Sequence, residues 1–213
     1  MTRKPALGCL LEIVETLVLT LLIFWVIQTF VAQPFRVQQQ SMQHTLEPDQ
    51  YVLVDKLTPN WDTYKIGDVV VFKPPETWVA SNGEPYIKRV IGVGGDKIEI
   101  RDGAVFVNGT KLVEPYVYQE DGGPQPTETQ NGIDTWVIPD GQLFLMGDHR
   151  GNSSDSRAGG PVDVKNVIGR AWLRYWPLAG FGVLPSAGHP ELADPAASPG
   201  SSRSAGSSAT ATP

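Results

Sequence analysis

The chain opens with a long apolar segment and continues with short alternating ones. Residues 16–35 contain no charged side chain, and residues 17–27 are dense in Leu, Val, Ile, Phe and Trp. About 20 helical residues, each rising ~1.5 Å, span the ~30 Å hydrocarbon layer of a bilayer. The pattern therefore predicts one transmembrane helix over residues 13–33.

The charges before the apolar segment predict its orientation. Arg3 and Lys4 lie on the N-terminal side, and the positive-inside rule places such residues in the cytoplasm. Residues 1–12 are then cytoplasmic, and the chain is a single-pass protein of the plasma membrane with its bulk outside. The alternative is a cleavable signal peptide. Residues 31–33 match a small-x-small cleavage site poorly, and Pro34 follows them, which favours an uncleaved anchor.

After the anchor the hydrophobic pattern becomes that of short β-strands. Runs rich in β-branched residues end at turn residues or prolines. These runs are residues 51–57, 68–72, 86–93, 97–100, 105–107, 136–138, 143–146 and 168–176. Asp102-Gly103 and Asn108-Gly109 are strong hairpin signals, because both central turn residues need positive φ. We predict an all-β domain of coiled antiparallel sheets over residues 34–185.

Two segments lack this pattern. Residues 114–134 are polar and rich in Gly, Pro and Gln, which indicates a loop or a small extension. In residues 186–213 the only large apolar side chain is Leu192. A segment that buries so little surface cannot offset its ordering entropy, so we predict a disordered tail.

Composition excludes some classes of function. The net charge of −6 and the pI of about 5.0 argue against a nucleic-acid partner, since phosphate binding needs clustered cations. The single cysteine, Cys9, allows no intramolecular disulfide. An ordinary apolar role for Cys9 is favoured over lipidation. No cofactor and no metal are expected.

Ser41 is a candidate nucleophile, because it follows closely after the predicted membrane exit. A serine hydroxyl needs an adjacent base to become nucleophilic. The three histidines are badly placed for this role: His44 follows Ser41 by three residues, His149 lies in a polar turn, and His189 lies in the tail.

Lys88 is the candidate base. A lysine accepts a proton only when neutral, so its pKa must fall well below ~10.4, and burial produces such a fall. Ile87, Val90 and Ile91 surround it with β-branched side chains. The alternative is that Lys88 and Arg89 form a solvated pair on an edge strand. Successive side chains on a strand point to opposite faces, so Lys88 is able to be buried while Arg89 is exposed to solvent.

Three stretches carry a resemblance to a known family. They are Gln40-Ser41-Met42, the strand and glycine turn at residues 86–96, and the segment Met146-Gly147-Asp148-His149-Arg150-Gly151-Asn152-Ser153-Ser154-Asp155-Ser156-Arg157. Together they resemble the serine–lysine signal peptidases, the type I leader peptidases of bacteria, over about residues 17–177. The resemblance implies a β fold related to that of LexA-type repressors. It also implies cleavage of signal peptides after small-x-small sites by a Ser41–Lys88 dyad, with preproteins and the lipid bilayer as partners.

The resemblance also implies roles for the third stretch. Ser153 matches the serine that orients the lysine amine, Asp155 and Arg157 match a charged pair that braces the site, and Asp148 matches a supporting acid. The alternative is a polar loop whose side chains satisfy turn backbone.

Two further expectations follow from the resemblance. Many relatives have Ser or Gly two residues before the nucleophile, where this chain has Gln39. The oxyanion contact therefore falls to the Gln39 amide or to the Ser41 backbone N–H alone. Six residues match positions that line shallow apolar pockets for an extended substrate: Phe35, Val37, Met42, Leu46, Tyr86 and Ile87.

Two other functions compete with this prediction. One is a self-cleaving serine–lysine protease of the LexA type, which the membrane anchor and the lack of a DNA-binding segment disfavour. The other is a membrane-tethered β domain that binds exported chains without cutting them. The joint presence of Ser41, Lys88, Ser153 and Asp155 favours an enzyme.

Overall fold

The computed structural model describes residues 5–57, 63–78, 83–120 and 122–192. Arg3 and Lys4, on which the predicted orientation depends, lie outside the described residues. So does most of the predicted tail, from residue 193 onward.

The N-terminal segment forms a single long helix, α1 (Pro5–Val26), which continues as a π-helical turn, Ile27–Val31. Leu, Ile, Val and Phe occur on all sides of it and are about half exposed, as expected for a helix that packs against lipid rather than against the domain. Within the described residues, the segment Gly8–Thr29 is the one helix long and apolar enough to cross a membrane.

The rest of the described chain is mostly β-structure, as predicted. The strands are β1 (Ala32–Arg36), β2 (Tyr51–Asp55), β3 (Val69–Phe72), β4 (Tyr86–Val93), β5 (Lys97–Arg101), β6 (Ala104–Val107), β7 (Thr110–Lys111), β8 (Gln119–Glu120), β9 (Gly123–Pro124), β10 (Thr135–Val137), β11 (Gln142–Met146), β12 (Val162–Asp163), β13 (Val167–Trp176) and β14 (Gly182–Val183). A four-residue helix, α2 (Ser156–Gly159), precedes β12.

The main sheet is antiparallel and curled, with strand order β1-β2-β13-β3-β4-β11-β12, and β14 pairs with β13 at its side. Strand β1 follows directly from the N-terminal apolar helix and its π-helical turn and forms one edge of this sheet. Strand β4 lies in the interior, between β3 and β11. The all-β fold class predicted from the hydrophobic pattern is confirmed.

A second sheet, with order β10-β5-β6-β7, packs beside the first. Its hairpin turns form at Asp102-Gly103 and Asn108-Gly109, and all four residues have positive φ, as the turn chemistry requires. The polar segment 114–134 is not a plain loop: β8 and β9 pair within it as a two-stranded ribbon. The extension is nevertheless small, as predicted.

Three clusters of buried apolar side chains stabilise these sheets. One of them joins Met42 and Leu46, from the segment after β1, to Val54 of β2 and Val71 of β3. This packing fixes the segment that carries Ser41 onto the main sheet.

The predicted tail does not begin at residue 186. Ser186 donates its hydroxyl to Asp68 at 3.0 Å, and Glu191 accepts the Val113 backbone N–H at 2.9 Å. Leu192 packs against the cluster around Ile98. Low hydrophobicity predicted disorder, but polar contacts and a single leucine hold residues 186–192 on the domain.

Candidate active site

Ser41 lies in a tight turn between β1 and β2. Met42 and Leu46 are fully buried on the inner side of the turn, and the Leu46 N–H donates to the Met42 carbonyl at 2.7 Å. Ser41 itself is only 3 % exposed. Two apolar anchors thus hold the turn while the hydroxyl stays inside the protein.

Lys88 reaches this hydroxyl from strand β4. Its Nζ donates a hydrogen bond to Ser41 Oγ at 2.6 Å, although the two residues are 47 positions apart in the chain. Lys88 is completely buried and its strand is internal to the sheet. The alternative of a solvated lysine on an edge strand is therefore wrong.

The surroundings of Lys88 weaken its hold on the proton. Burial lowers the pKa of the amine to about 8, with a smaller lowering by Arg157, while the charges of Asp155 and Asp148 oppose the fall. With a pKa of about 8, roughly a tenth of the amines are neutral at pH 7 and half at pH 8. A neutral amine at 2.6 Å is able to take the proton of the serine hydroxyl.

Asp155 and Arg157 form a fully buried bidentate pair. Arg157 donates Nε to Asp155 Oδ1 and Nη2 to Oδ2, each at 2.9 Å. The Gly147 N–H also donates to this carboxylate, at 3.1 Å. Burial raises the pKa of Asp155, but the bonds from Arg157 outweigh it and leave the pKa below its ordinary value. The pair therefore stays ionised and ties α2 to the end of β11.

Ser153 does not make the contact expected of it in this structure. Its Oγ is buried beside Gly147 and makes no hydrogen bond to Lys88. It interacts with the Asp155 carboxylate instead, and this interaction helps to lower the pKa of Asp155. The Lys88 amine instead bonds to Ser41. A role for Ser153 in orienting the amine stays a prediction.

Asp148 binds Arg89, a residue that the sequence pattern did not single out. Arg89 donates Nε and Nη2 to the two carboxylate oxygens at 2.9 and 2.7 Å, and both side chains are 1 % exposed. The guanidinium carbon lies 4.0 Å from the centre of the Tyr116 ring. Strand alternation does put Lys88 and Arg89 on opposite faces of β4. Both faces are covered by other parts of the protein, so neither side chain is exposed to solvent.

Thr45 forms hydrogen bonds with both members of the Arg89–Asp148 pair. Its hydroxyl donates to Asp148 Oδ2 at 2.6 Å and accepts from Arg89 Nη2 at 3.3 Å. We expect Thr45→Val to lower the free energy of unfolding by roughly 1.5–3 kcal/mol, because a buried carboxylate loses a donor. Denaturant titration of the purified protein measures this change.

A matched control is Thr135→Val, since Thr135 is exposed and its hydroxyl donates to the neighbouring, exposed Asp134. It should change stability by less than about 0.5 kcal/mol. Equal effects of the two variants would contradict the assigned importance of the Arg89–Asp148 pair.

A groove lies beside the residues that precede Ser41 and Lys88 in the chain. It runs between the end of β1, with the residues that follow it, and the start of β4, and Phe35, Val37, Tyr86 and Ile87 are among the residues that line it. Their contact with a substrate stays a prediction. Gln39 also lines it, with its side chain exposed. Met42 and Leu46 do not line this groove: both are fully buried in the core, where they anchor the turn that carries Ser41.

Both walls of the groove are strand edges. Strand β1 pairs only with β2 in the sheet order. Strand β4 pairs with β3 from its first residue, Tyr86, but its ladder with β11 begins at Arg89. The first three residues of β4 thus lie outside its ladder with β11, and an extended peptide is able to add there as a strand.

Comparison with known proteins gives the family. The model of the family described as "Signal peptidase, peptidase S26" matches residues 10–176. A probable signal peptidase I-1 of Synechocystis sp. is 33% identical over 178 residues, which cover 82% of this chain and 87% of that protein. A signal peptidase IB of Staphylococcus aureus is 31% identical over 187 residues, which cover 81% and 92%.

Among solved structures, a signal peptidase I from Enterococcus faecalis V583 is similar at 30% identity. It matches with a TM-score of 0.43 and covers 51% of this chain and 97% of its own.

A buried serine within hydrogen-bond distance of a lysine is one of the arrangements that serine peptidases use. This chain belongs to the signal peptidase family, peptidase S26. The family predicted from the three sequence stretches is confirmed, and the helix α1 fits a membrane-anchored member.

Proposed function

We propose that this chain is a membrane-bound serine endopeptidase that removes N-terminal signal peptides from exported preproteins. Ser41 is the nucleophile and Lys88 the general base. The observation that carries the proposal is the 2.6 Å contact between Lys88 Nζ and Ser41 Oγ. A groove lined by the neighbouring residues Gln39 and Ile87 lies beside this contact.

The reaction proceeds in two halves. Neutral Lys88 takes the proton of Ser41, and Oγ attacks the scissile carbonyl to form a tetrahedral oxyanion. The resulting ammonium gives its proton to the leaving amine, so the mature protein departs and the signal peptide remains as an ester on Ser41. Lys88, neutral again, then takes a proton from a water that attacks the ester. The acid product leaves, and the proton returns to Ser41.

The oxyanion is bound by the Ser41 backbone N–H in this proposal. The Gln39 amide is the second donor that the sequence offers, and its exposed position beside the groove is compatible with that role. The neighbouring Gln40 is engaged elsewhere, since its Oε1 accepts from Asn152 Nδ2 at 3.1 Å.

The remaining residues support the dyad. Asp155 and Arg157 brace the loop after β11, and Asp148 binds Arg89 on the opposite face of β4 from Lys88. Ser153 orients the amine once Lys88 has released Ser41 to the substrate. No metal and no cofactor take part in this mechanism.

Specificity follows from the groove. An extended substrate bonds through its backbone to β1 and β4, and alternate side chains point into the pockets. Phe35 and Ile87 pack partly against the core beneath, so the pockets between them are shallow. Such pockets hold alanine and exclude larger side chains, which gives cleavage after small-x-small sequences.

The anchor sets the location. With the N-terminus in the cytoplasm, the β domain lies outside the plasma membrane, and Ser41 is ten residues past the end of the π-helical turn at Val31. Exposed apolar side chains of the β13–β14 region suit contact with the bilayer surface: Trp172, Trp176, Leu178, Phe181 and Val183. Signal peptides emerge at the same surface.

Cleavage of a preprotein tests the proposal. The full chain in detergent micelles should cut a preprotein with alanine one and three residues before the cleavage site. Tryptophan at the third residue before the cut should lower kcat/KM by at least roughly tenfold, because the shallow pocket cannot take its ring. Binding without cleavage, or equal rates for the two substrates, would contradict the proposal.

A further inference from the structure

A hydrogen bond from the loop after β11 holds the turn that carries Ser41. The His149 backbone N–H donates to the Ser41 carbonyl at 3.0 Å. The apolar anchors Met42 and Leu46 fix the opposite side of the turn. The orientation of the Ser41 hydroxyl therefore depends on the position of the His149 backbone.

His149 is one end of a stack of three rings. Its imidazole lies 4.0 Å from the Tyr118 ring, with planes 9° apart. The other face of Tyr118 stacks on His44, at 4.4 Å and 16°. Tyr118 thus joins the nucleophile turn, through His44, to the loop that donates the bond to Ser41.

Backbone and side-chain bonds fix the stack in place. The Tyr118 N–H donates to the Asp148 carbonyl at 2.9 Å, and the Gln125 N–H donates to the Tyr118 carbonyl at 2.8 Å. Gln43, between Ser41 and His44 in the chain, has its Oε1 3.2 Å from His149 Nδ1. The rings, the backbone and one amide thus link the same two loops at several points.

Resting on the proposed role of Ser41, we propose that Tyr118 is a positioning residue that sets the Ser41 hydroxyl against Lys88. The stack is not part of the general packing: the three hydrophobic clusters formed by the described residues do not include Tyr118. It lies half-buried over the turn instead. The two histidines act through their flat rings and take no proton in the reaction.

We expect the loss of the Tyr118 stack to lower the turnover number rather than to weaken substrate binding. Each stacked aromatic contact is worth roughly two- to tenfold in an equilibrium. A displacement of about 1 Å at a reacting atom costs up to roughly 10²-fold in rate. Tyr118→Ser should therefore lower kcat by roughly 10- to 100-fold and change KM by less than about threefold, since the residue is outside the substrate groove.

Conservative variants separate positioning from chemistry. Tyr118→Phe keeps the stacked ring and should retain kcat within about threefold of the unsubstituted protein. His44→Phe likewise keeps a ring and should retain kcat, whereas His44→Ala should lower it several-fold. His44 is largely exposed, so its variants keep the proposal testable even where Tyr118→Ser fails to fold.

The control is Tyr175→Ser. Tyr175 is also half-buried and pairs with an aromatic ring, that of Tyr51 at 6.0 Å, but the pair lies on β13 and β2 rather than on the loops around Ser41. This variant should keep kcat within about threefold of that of the unsubstituted protein. Such a result would show that the loss of an aromatic pair does not by itself lower kcat.

The measurements are kcat and KM on a signal-peptide substrate, with thermal melting to confirm folding, for the full chain in detergent. Normal kcat in folded Tyr118→Ser, or a rise in KM alone, would overturn the positioning role. An equal loss in His44→Phe and His44→Ala would overturn it too, because the imidazole nitrogens and not the ring would then matter. Ser41→Ala in the same assay tests the proposed function separately, since activity there would refute the nucleophile itself.

Discussion

Ser41→Ala and Lys88→Ala should each lower kcat/KM for signal-peptide cleavage by at least about 10³-fold, and the double variant should be no worse than either. The nucleophile and its base act in one step, so removing the second member of the pair costs nothing more. The direct bond between Lys88 and Ser41 in the buried site is the physical reason. Cleavage rates of the four proteins, each confirmed as folded, measure the effect.

Matched controls for these variants lie nearby in the chain. Ser154 is exposed next to Ser153, and Lys165 forms a surface ion pair with Asp163. Ser154→Ala and Lys165→Ala should retain activity within about threefold, because neither touches the site. Near-normal turnover in folded Lys88→Ala, or additive losses in the double variant, would refute the dyad.

The pH dependence gives the second large effect. Only the neutral amine of Lys88 acts as a base, and its pKa is about 8. On a substrate without titrating groups, kcat/KM should rise about tenfold per pH unit below pH 8 and level off above it. The rise between pH 6 and pH 8 is then on the order of 50-fold. A flat profile over this range would contradict a lysine base.

The same shift predicts a change in stability. The folded chain gives up the Lys88 proton near pH 8 and the unfolded chain near 10.5. Below pH 8 both states are protonated, and the fold carries the full cost of a buried ammonium, on the order of 3 kcal/mol. Between pH 8 and 10.5 the unfolded state binds more protons, so stability rises and the cost disappears.

Lys88→Met should therefore raise the free energy of unfolding at pH 7 by about that amount. The gain should shrink as the pH increases from about 8 to 10.5, and activity should be lost at every pH. Denaturant titrations at several pH values test this. A gain that stays constant with pH would mean that the lysine is not the group responsible.

Sequence reasoning succeeded where the local pattern determines the structure. Strand β4 has the bounds predicted from its β-branched residues, Tyr86–Val93, and both hairpin turns form where Asp-Gly and Asn-Gly require positive φ. The apolar neighbours of Lys88 correctly indicated a buried lysine. These features depend on residues close together in the chain, so the sequence alone contains the signal.

The pattern failed where distant segments meet. The residues next to Arg89 and Arg150 in the chain do not predict that these two arginines are buried. Burial is possible because Arg89 pairs with Asp148, and Arg150 pairs with Glu114 of the polar segment. The stack of Tyr118 between two histidines also joins three separate loops. Met42 was expected at the groove, but the turn points it into the core. Only the tertiary structure decides such pairings.

The pKa of the Lys88 amine, measured by NMR, decides whether this lysine is able to act as the general base. The amine nitrogen of specifically labelled lysine is followed against pH in the full chain in detergent, and Lys88→Met identifies the signal. We expect a midpoint near 8, because burial disfavours the ammonium form. A midpoint near ~10.4, the value of a lysine in water, would contradict it.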